Sequence, residues 1–272
     1  MKDDRYLELR NKTVTKSNDL IQKSRFSLSL LQQKIILCLI SQITPYDNEF
    51  KLYEFSVIDF CKACGIDCEN GKNYRDLKLA IKELADKSLW IKINEDEETL
   101  LRWIEKPYVN KSGGTVKVRL DRDMMPFLLQ LKQNFTQYEI IWTLHFKSKY
   151  SIRLYELVKS IHYHELEFYR KRFTVDELKS LLDGEKYKEY RDFKRRVLAI
   201  SIDEVNRYSD KTVSFEEVKR GKKVVAVEFT ISSKDSLSVL QIRSDIEREF
   251  GLDQITLWDN LEENGQIDPS AF

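Results

Sequence analysis

The chain has 272 residues, 42% of them apolar and 33% charged, enough to build real cores and a length that suggests about two domains at roughly 150 residues each. The 46 Lys and Arg nearly cancel the 45 Asp and Glu, the opening MKDDRYLELRNK is polar, and no long apolar run exists, so neither a membrane span nor a secretory signal is expected. Four cysteines (Cys38, Cys61, Cys64 and Cys68) are too few and too clustered for a secreted disulfide framework, which points to a reducing cytoplasm.

Residues 1–12 read as a flexible lead. A first long helix, Leu30 to Ile43, opens after Ser29 with Gln32 three residues on, the spacing of a capping box. A short strand, Leu52–Phe55, precedes Ser56, which has the chemistry of an N-cap. A second helix ends near Gly65, where glycine can take the left-handed conformation. A third helix, about Asn73–Lys87, is followed by alternating segments at Leu89–Ile93, Thr99–Glu105 and Thr115–Asp121 that read as strands. A helical stretch, Met124–Leu131, and a polar one, Lys132–Thr136, form a join.

The order then recurs. A helix from about Lys149 to Tyr163 carries Ile152, Tyr155 and Val158 on one face. A strand at Phe168–Phe173 leads to Thr174, with Glu177 in capping-box register. A short helix ends near Gly184, a third helix covers about Tyr187–Tyr208, and two strands, Thr212–Lys219 and Val224–Ile231, flank the turn Arg220-Gly221-Lys222-Lys223.

Sequence blocks repeat along with the elements. Phe55-Ser56-Val57-Ile58-Asp59-Phe60 is echoed by Phe173-Thr174-Val175-Asp176-Glu177-Leu178, and Tyr74-Arg75-Asp76-Leu77-Lys78 by Tyr190-Arg191-Asp192-Phe193-Lys194. Matching blocks in one order at nearly one offset imply a duplicated unit. Helix, strand, helix, helix, hairpin is the order of a winged helix-turn-helix, so the expected fold is α+β with tandem winged-helix domains, at 13–132 and 133–245, before an acidic tail at 246–272.

The near-neutral total hides a gradient: residues 1–146 carry net +2, residues 147–224 net +6 and residues 245–272 net −7. Charge counts alone fit solvated helices, but here the basic residues fall on a third helix and its wing. Lys188, Arg191, Lys194, Arg195 and Arg196 lie on the third helix of the second unit, beside an apolar side of Phe193, Val197, Leu198, Ile202 and Val205. On a helical wheel Lys188, Arg195 and Arg196 point away from that side, with Arg191 at its edge and Lys194 nearer the stripe. Lys219, Arg220, Lys222 and Lys223 form the wing tip. A helix of this kind can enter a major groove and read guanine, while a basic wing neutralises phosphates, so the second unit is expected to be the principal reader of double-stranded DNA. The first unit offers Lys72, Arg75 and Lys78, but its turn Asn94-Glu95-Asp96-Glu97-Glu98 would repel phosphates. It is expected to be an auxiliary DNA contact, a dimerisation surface, or both.

The arrangement resembles the Rep initiator family of iteron-controlled, theta-replicating plasmids. The blocks that carry the resemblance run from Lys16 to Ile21, from Phe26 to Lys34, from Lys147 to Leu157 and from Phe193 to Leu198; Ser-Lys-Tyr-Ser-Ile-Arg-Leu-Tyr-Glu is the most distinctive. It covers about residues 12–235. The resemblance implies binding of origin direct repeats (iterons) as a monomer, local melting, and recruitment of host replication proteins such as the helicase and the host initiator. It also implies a dimer that represses its own promoter at an operator inverted repeat, with the first unit at the interface, and no catalytic residues or cofactor.

Other signals weigh less. A dedicated transcriptional repressor would use the same fold. His162-Tyr163-His164 resembles the metal-binding pair of rolling-circle nickases, but residues i and i+2 at a helix end point apart and cannot share an ion. Cys61, Cys64 and Cys68 resemble part of a zinc site without a fourth ligand, and packing as small hydrophobes is favoured over metal. Asn70-Gly71-Lys72-Asn73 lacks the rest of a phosphate-binding loop, so no ATP site is expected.

Overall fold

The computed structural model describes residues 5–66, 71–110, 113–161 and 167–249. In each half, a strand that precedes the second helix pairs antiparallel with the strand that closes the unit. Tyr53–Ser56 pairs with Thr115–Val118, and Phe168–Thr174 pairs with Lys223–Ser233, which also pairs with Lys211–Arg220. The repeated blocks explain this equivalence. Ser56 accepts a hydrogen bond from the Asp59 amide at 3.2 Å and Thr174 from the Glu177 amide at 3.1 Å, so each caps its short helix. Phe55 and Phe173 are buried beneath the strands, and Leu77 and Phe193 anchor the two third helices in their cores.

The first unit is the more elaborate. Its helix Leu30–Ile40 opens on the expected capping box, with Ser29 and Gln32 bonding each other's backbone amides. It ends earlier than Ile43, because the Ser41 hydroxyl turns back to the Cys38 carbonyl and the chain leaves the helix there. The strands Ser88–Lys92 and Glu98–Arg102 form a separate sheet with Ser24–Arg25, and Tyr108–Asn110 adds a third strand beside Thr115–Val118. The third helix runs Gly71–Ala85.

Two expectations about glycine part company. Gly65 has φ 63° and closes its helix in the left-handed form. Gly184 does not; the left-handed residue is Asp183, at φ 56°. Gly184 is needed for space instead, since a Cβ there would lie 2.5 Å from Cε2 of Phe193.

Residues 5–10, expected to be part of a flexible lead, form a helix, and the buried Arg10 donates to the Ala63 carbonyl from Nε and Nη2 at 3.2 and 3.0 Å. The join differs from a helix followed by a loop. A 3₁₀ turn (Arg122–Met124) and one helical turn (Met125–Leu128) give way to left-handed residues Gln130 and Asn134. The strand Phe135–Glu139 then pairs antiparallel with Thr13–Ser17, so the chain returns to its own beginning before entering the second unit.

The helix Lys149–Ile161 is the centre of the molecule. Every residue from Tyr150 to Val158 is buried, including Arg153 and Glu156. Toward the first unit, Glu156 accepts from Lys16 Nζ and from Tyr138 Oη, both at 2.6 Å. Arg153 donates to the Leu181 carbonyl at 3.1 Å and stacks over Phe26, 4.2 Å from the ring centroid; Phe26 in turn meets Trp103 edge-on. Toward the second unit, Tyr155 donates to Asp210 at 2.8 Å. Burial lowers the Lys16 and Arg153 pKa values, Arg153 to about 10, and Glu156 opposes the shift at both. The two units therefore share one continuous core. A final helix, Ser236–Glu249, crosses the expected tail boundary and reaches back to the first unit, where Arg243 donates to Glu139 at 2.5 Å and to Asn11 at 2.7 Å. Among the described residues, no helix is long and apolar enough to cross a membrane.

Candidate nucleic-acid interface

The third helix of the second unit starts at Tyr190, not Tyr187, and is not uniformly α-helical. Tyr190–Phe193 is α, Lys194–Leu198 is a π turn, and Ala199–Tyr208 is α again. Phe193, Val197, Leu198, Ser201 and Val205 are buried and dock the helix on its core. Lys194, Arg195 and Arg196 stand side by side at the surface, and Lys194, expected nearer the apolar stripe, extends its Nζ over the Phe215 ring, 5.7 Å from the centroid. Lys188 and Arg191 are exposed as well, and Lys188 is in the approach to the helix rather than on it. Ala199 and the half-exposed Ile200 extend the face with apolar surface of the kind that fits a thymine methyl.

The wing is a long antiparallel hairpin with a register shift between Val218 and Lys219 and a turn closed by Gly221 at φ 63°. Lys219, Arg220, Lys222 and Lys223 are all exposed at its tip. Helix and wing are tied together by Glu217, which sequence reasoning did not single out. Lys194 Nζ donates to its Oε1 at 2.8 Å and Lys219 Nζ lies 3.5 Å from its Oε2. The Lys194 hydrogen bond, with the charges of both lysines, holds the Glu217 carboxyl below its ordinary range. Arg195 pairs with Asp192 at 3.2 Å, whereas Arg191 and Arg196 make no ion pair among the described residues. The sequence signal for Glu217 is an acid on the core side of a strand, two residues before a basic run.

In the first unit, Arg75 and Lys78 are exposed on the third helix, and the side chain of Lys72 lies outside the described residues. The acidic turn at residues 94–98 is exposed, held by the Asn94 side chain accepting from the Asp96 and Glu97 amides at 2.9 Å. Trp90 and Leu100 face each other across this hairpin, 46% and 51% exposed. Cys61 and Cys64 are buried, and burial pushes the Cys64 thiol up to about 11; Cys68 and the His162-Tyr163-His164 motif lie outside the described residues. No group of three or more His, Cys, Asp or Glu that could hold a metal occurs among the described residues.

A family model for "Initiator Replication protein, WH1" matches residues 13–159, and a second, "Initiator Rep protein, WH2", matches residues 174–231. The chain belongs to the Rep initiator family. Its first winged-helix region, so matched, takes in most of the shared central helix. Over 217 residues the chain is 26% identical to an Escherichia coli "Replication initiation protein", covering 77% of this chain and 66% of that protein. Over 180 residues it is 30% identical to the Escherichia coli "PI protein", covering 59% of this chain and 54% of that one. The chain thus spans less than two thirds of the length of these relatives. A solved structure, "Crystal structure of Pi initiator protein in complex with iteron DNA", superposes with a TM-score of 0.68 at 22% identity, over 84% of this chain and 99% of the other. That likeness establishes the tandem winged-helix fold.

Proposed function

We propose that this Rep family chain is a plasmid replication initiator that binds directly repeated origin sequences in double-stranded DNA. The observation that carries the proposal is the surface in which a π-bulged helix presents Lys194, Arg195 and Arg196 beside a four-cation wing tip. The Pi initiator, whose structure was solved with iteron DNA, has the same tandem winged-helix fold. Arg195 and Arg196 are assigned to base edges, Lys222 and Lys223 to phosphates, and Arg75 and Lys78 to an auxiliary contact. The protein works by binding and opening DNA, with host replication proteins as its partners, and carries out no bond chemistry.

A second activity, repression of its own promoter by a dimer, is favoured by the exposed Trp90 and Leu100 pair, an apolar surface on the first unit. Footprinting the chain on its own plasmid, with sedimentation at matched concentrations, tests both activities. Protection of each direct repeat by monomer supports initiation. Protection of an inverted repeat alone, by dimer alone, would make the protein a dedicated repressor.

A further inference from the structure

Glu217 sits on the core side of the wing strand, opposite the buried Val227, with its side chain 20% exposed, while the lysines it binds are 46% and 56% exposed. Lys219, two residues further along the same strand, lies on the same face and comes within 3.5 Å of the same carboxylate. The buried Tyr190 hydroxyl lies against it as well, and burial together with Glu217 pushes that phenol up. One acid thus receives the start of the reader helix and the base of the wing. Partly exposed ion pairs contribute little to stability, so this geometry is not accounted for by folding.

We propose that Glu217 is a positioning residue that sets the discrimination of this surface between its repeats and other DNA. It fixes the spacing of Lys194 and Lys219, and its negative charge offsets both ammonium groups, which weakens their attraction for any passing phosphate. Arg191 and Arg196, which have no such partner among the described residues, remain available for contact. The inference rests on the DNA-binding reading of the surface and adds to it a device that suppresses sequence-independent binding, the part of affinity that follows phosphate neutralisation.

The test uses the full chain, a duplex carrying its footprinted repeats, and a random-sequence duplex of equal length. Glu217→Gln is compared with Glu216→Gln, the same charge change one residue earlier on the solvent face of the strand. With Glu217→Gln, the ratio of random-duplex affinities at 50 and 200 mM salt grows by about threefold per released lysine, as a slope of about 0.9 per phosphate contact requires. The preference for the repeats falls. Glu216→Gln changes neither quantity beyond a general charge effect, and in a Lys194→Gln, Lys219→Gln background the Glu217→Gln effect disappears. Equal behaviour of the two Gln variants, or an effect that survives loss of both lysines, overturns the inference while leaving the initiator reading in place. A wild-type chain that binds neither duplex overturns both.

Discussion

Arg195 and Arg196 stand at the surface because Val197 and Leu198, the next two residues, are both fully buried and fix the helix on its core. Truncating the arginines therefore removes contacts without loosening the helix. Arg195→Ala and Arg196→Ala should each weaken repeat binding by about 1–3 kcal/mol where the lost group touches a base, measured by anisotropy titration at fixed salt. Lys222→Ala and Lys223→Ala act differently: each should lower the salt slope by about 1, with little change in sequence preference, because phosphate contacts carry no sequence information. Gly184 gives a residue-scale prediction for stability. Gly184→Ala pushes a methyl group into the Phe193 ring with no left-handed backbone to blame, so the cost is overpacking, about 1–3 kcal/mol by thermal denaturation. A Gly184 variant as stable as wild type would mean that the ring simply moves aside.

Among the elements, those read well from sequence are the ones specified by local chemistry. Ser29 with Gln32, Ser56 with Asp59 and Thr174 with Glu177 are side chains bonding backbone amides three residues away, so the helix starts are legible from spacing alone. The duplication is legible because Phe55 and Phe173, or Leu77 and Phe193, fill equivalent core positions and so must recur. The π turn at Lys194–Leu198 has no such signature. It is a change in backbone hydrogen bonding with no composition of its own, so a wheel drawn at constant angle does not reveal it. The wheel is also incomplete for the helix Lys149–Ile161. It shows Ile152, Tyr155 and Val158 on one face but not the burial of Arg153 and Glu156, which packing on both sides imposes. The pairing of Thr13–Ser17 with Phe135–Glu139 is invisible for a third reason: it joins segments far apart in the chain, and neither carries local information about the other.

For the molecule as a whole, the buried charges decide how two winged-helix units behave as one. The proposed binding of a repeat by both units requires their separation and angle to be fixed. Here the fixing elements are the Thr13–Ser17 and Phe135–Glu139 ladder and the Lys16, Tyr138 and Glu156 cluster, not a flexible linker. Lys16 and Glu156 are both nearly inaccessible, at 5% and 2% side-chain exposure, so each depends on the other for compensation. Removing one leaves a buried charge: Lys16→Met should cost about 3–5 kcal/mol in urea denaturation, because Arg153, at 3.9 Å from Glu156, is a poor substitute for a 2.6 Å ammonium contact. The paired change Lys16→Met with Glu156→Leu should recover only part of that loss, since it also removes the acid that faces the buried Arg153 and accepts from Tyr138. If the double variant regains stability but not affinity for the repeats, the ion pair sets the relative placement of the units. If it regains both, apolar packing on the central helix is enough to hold them.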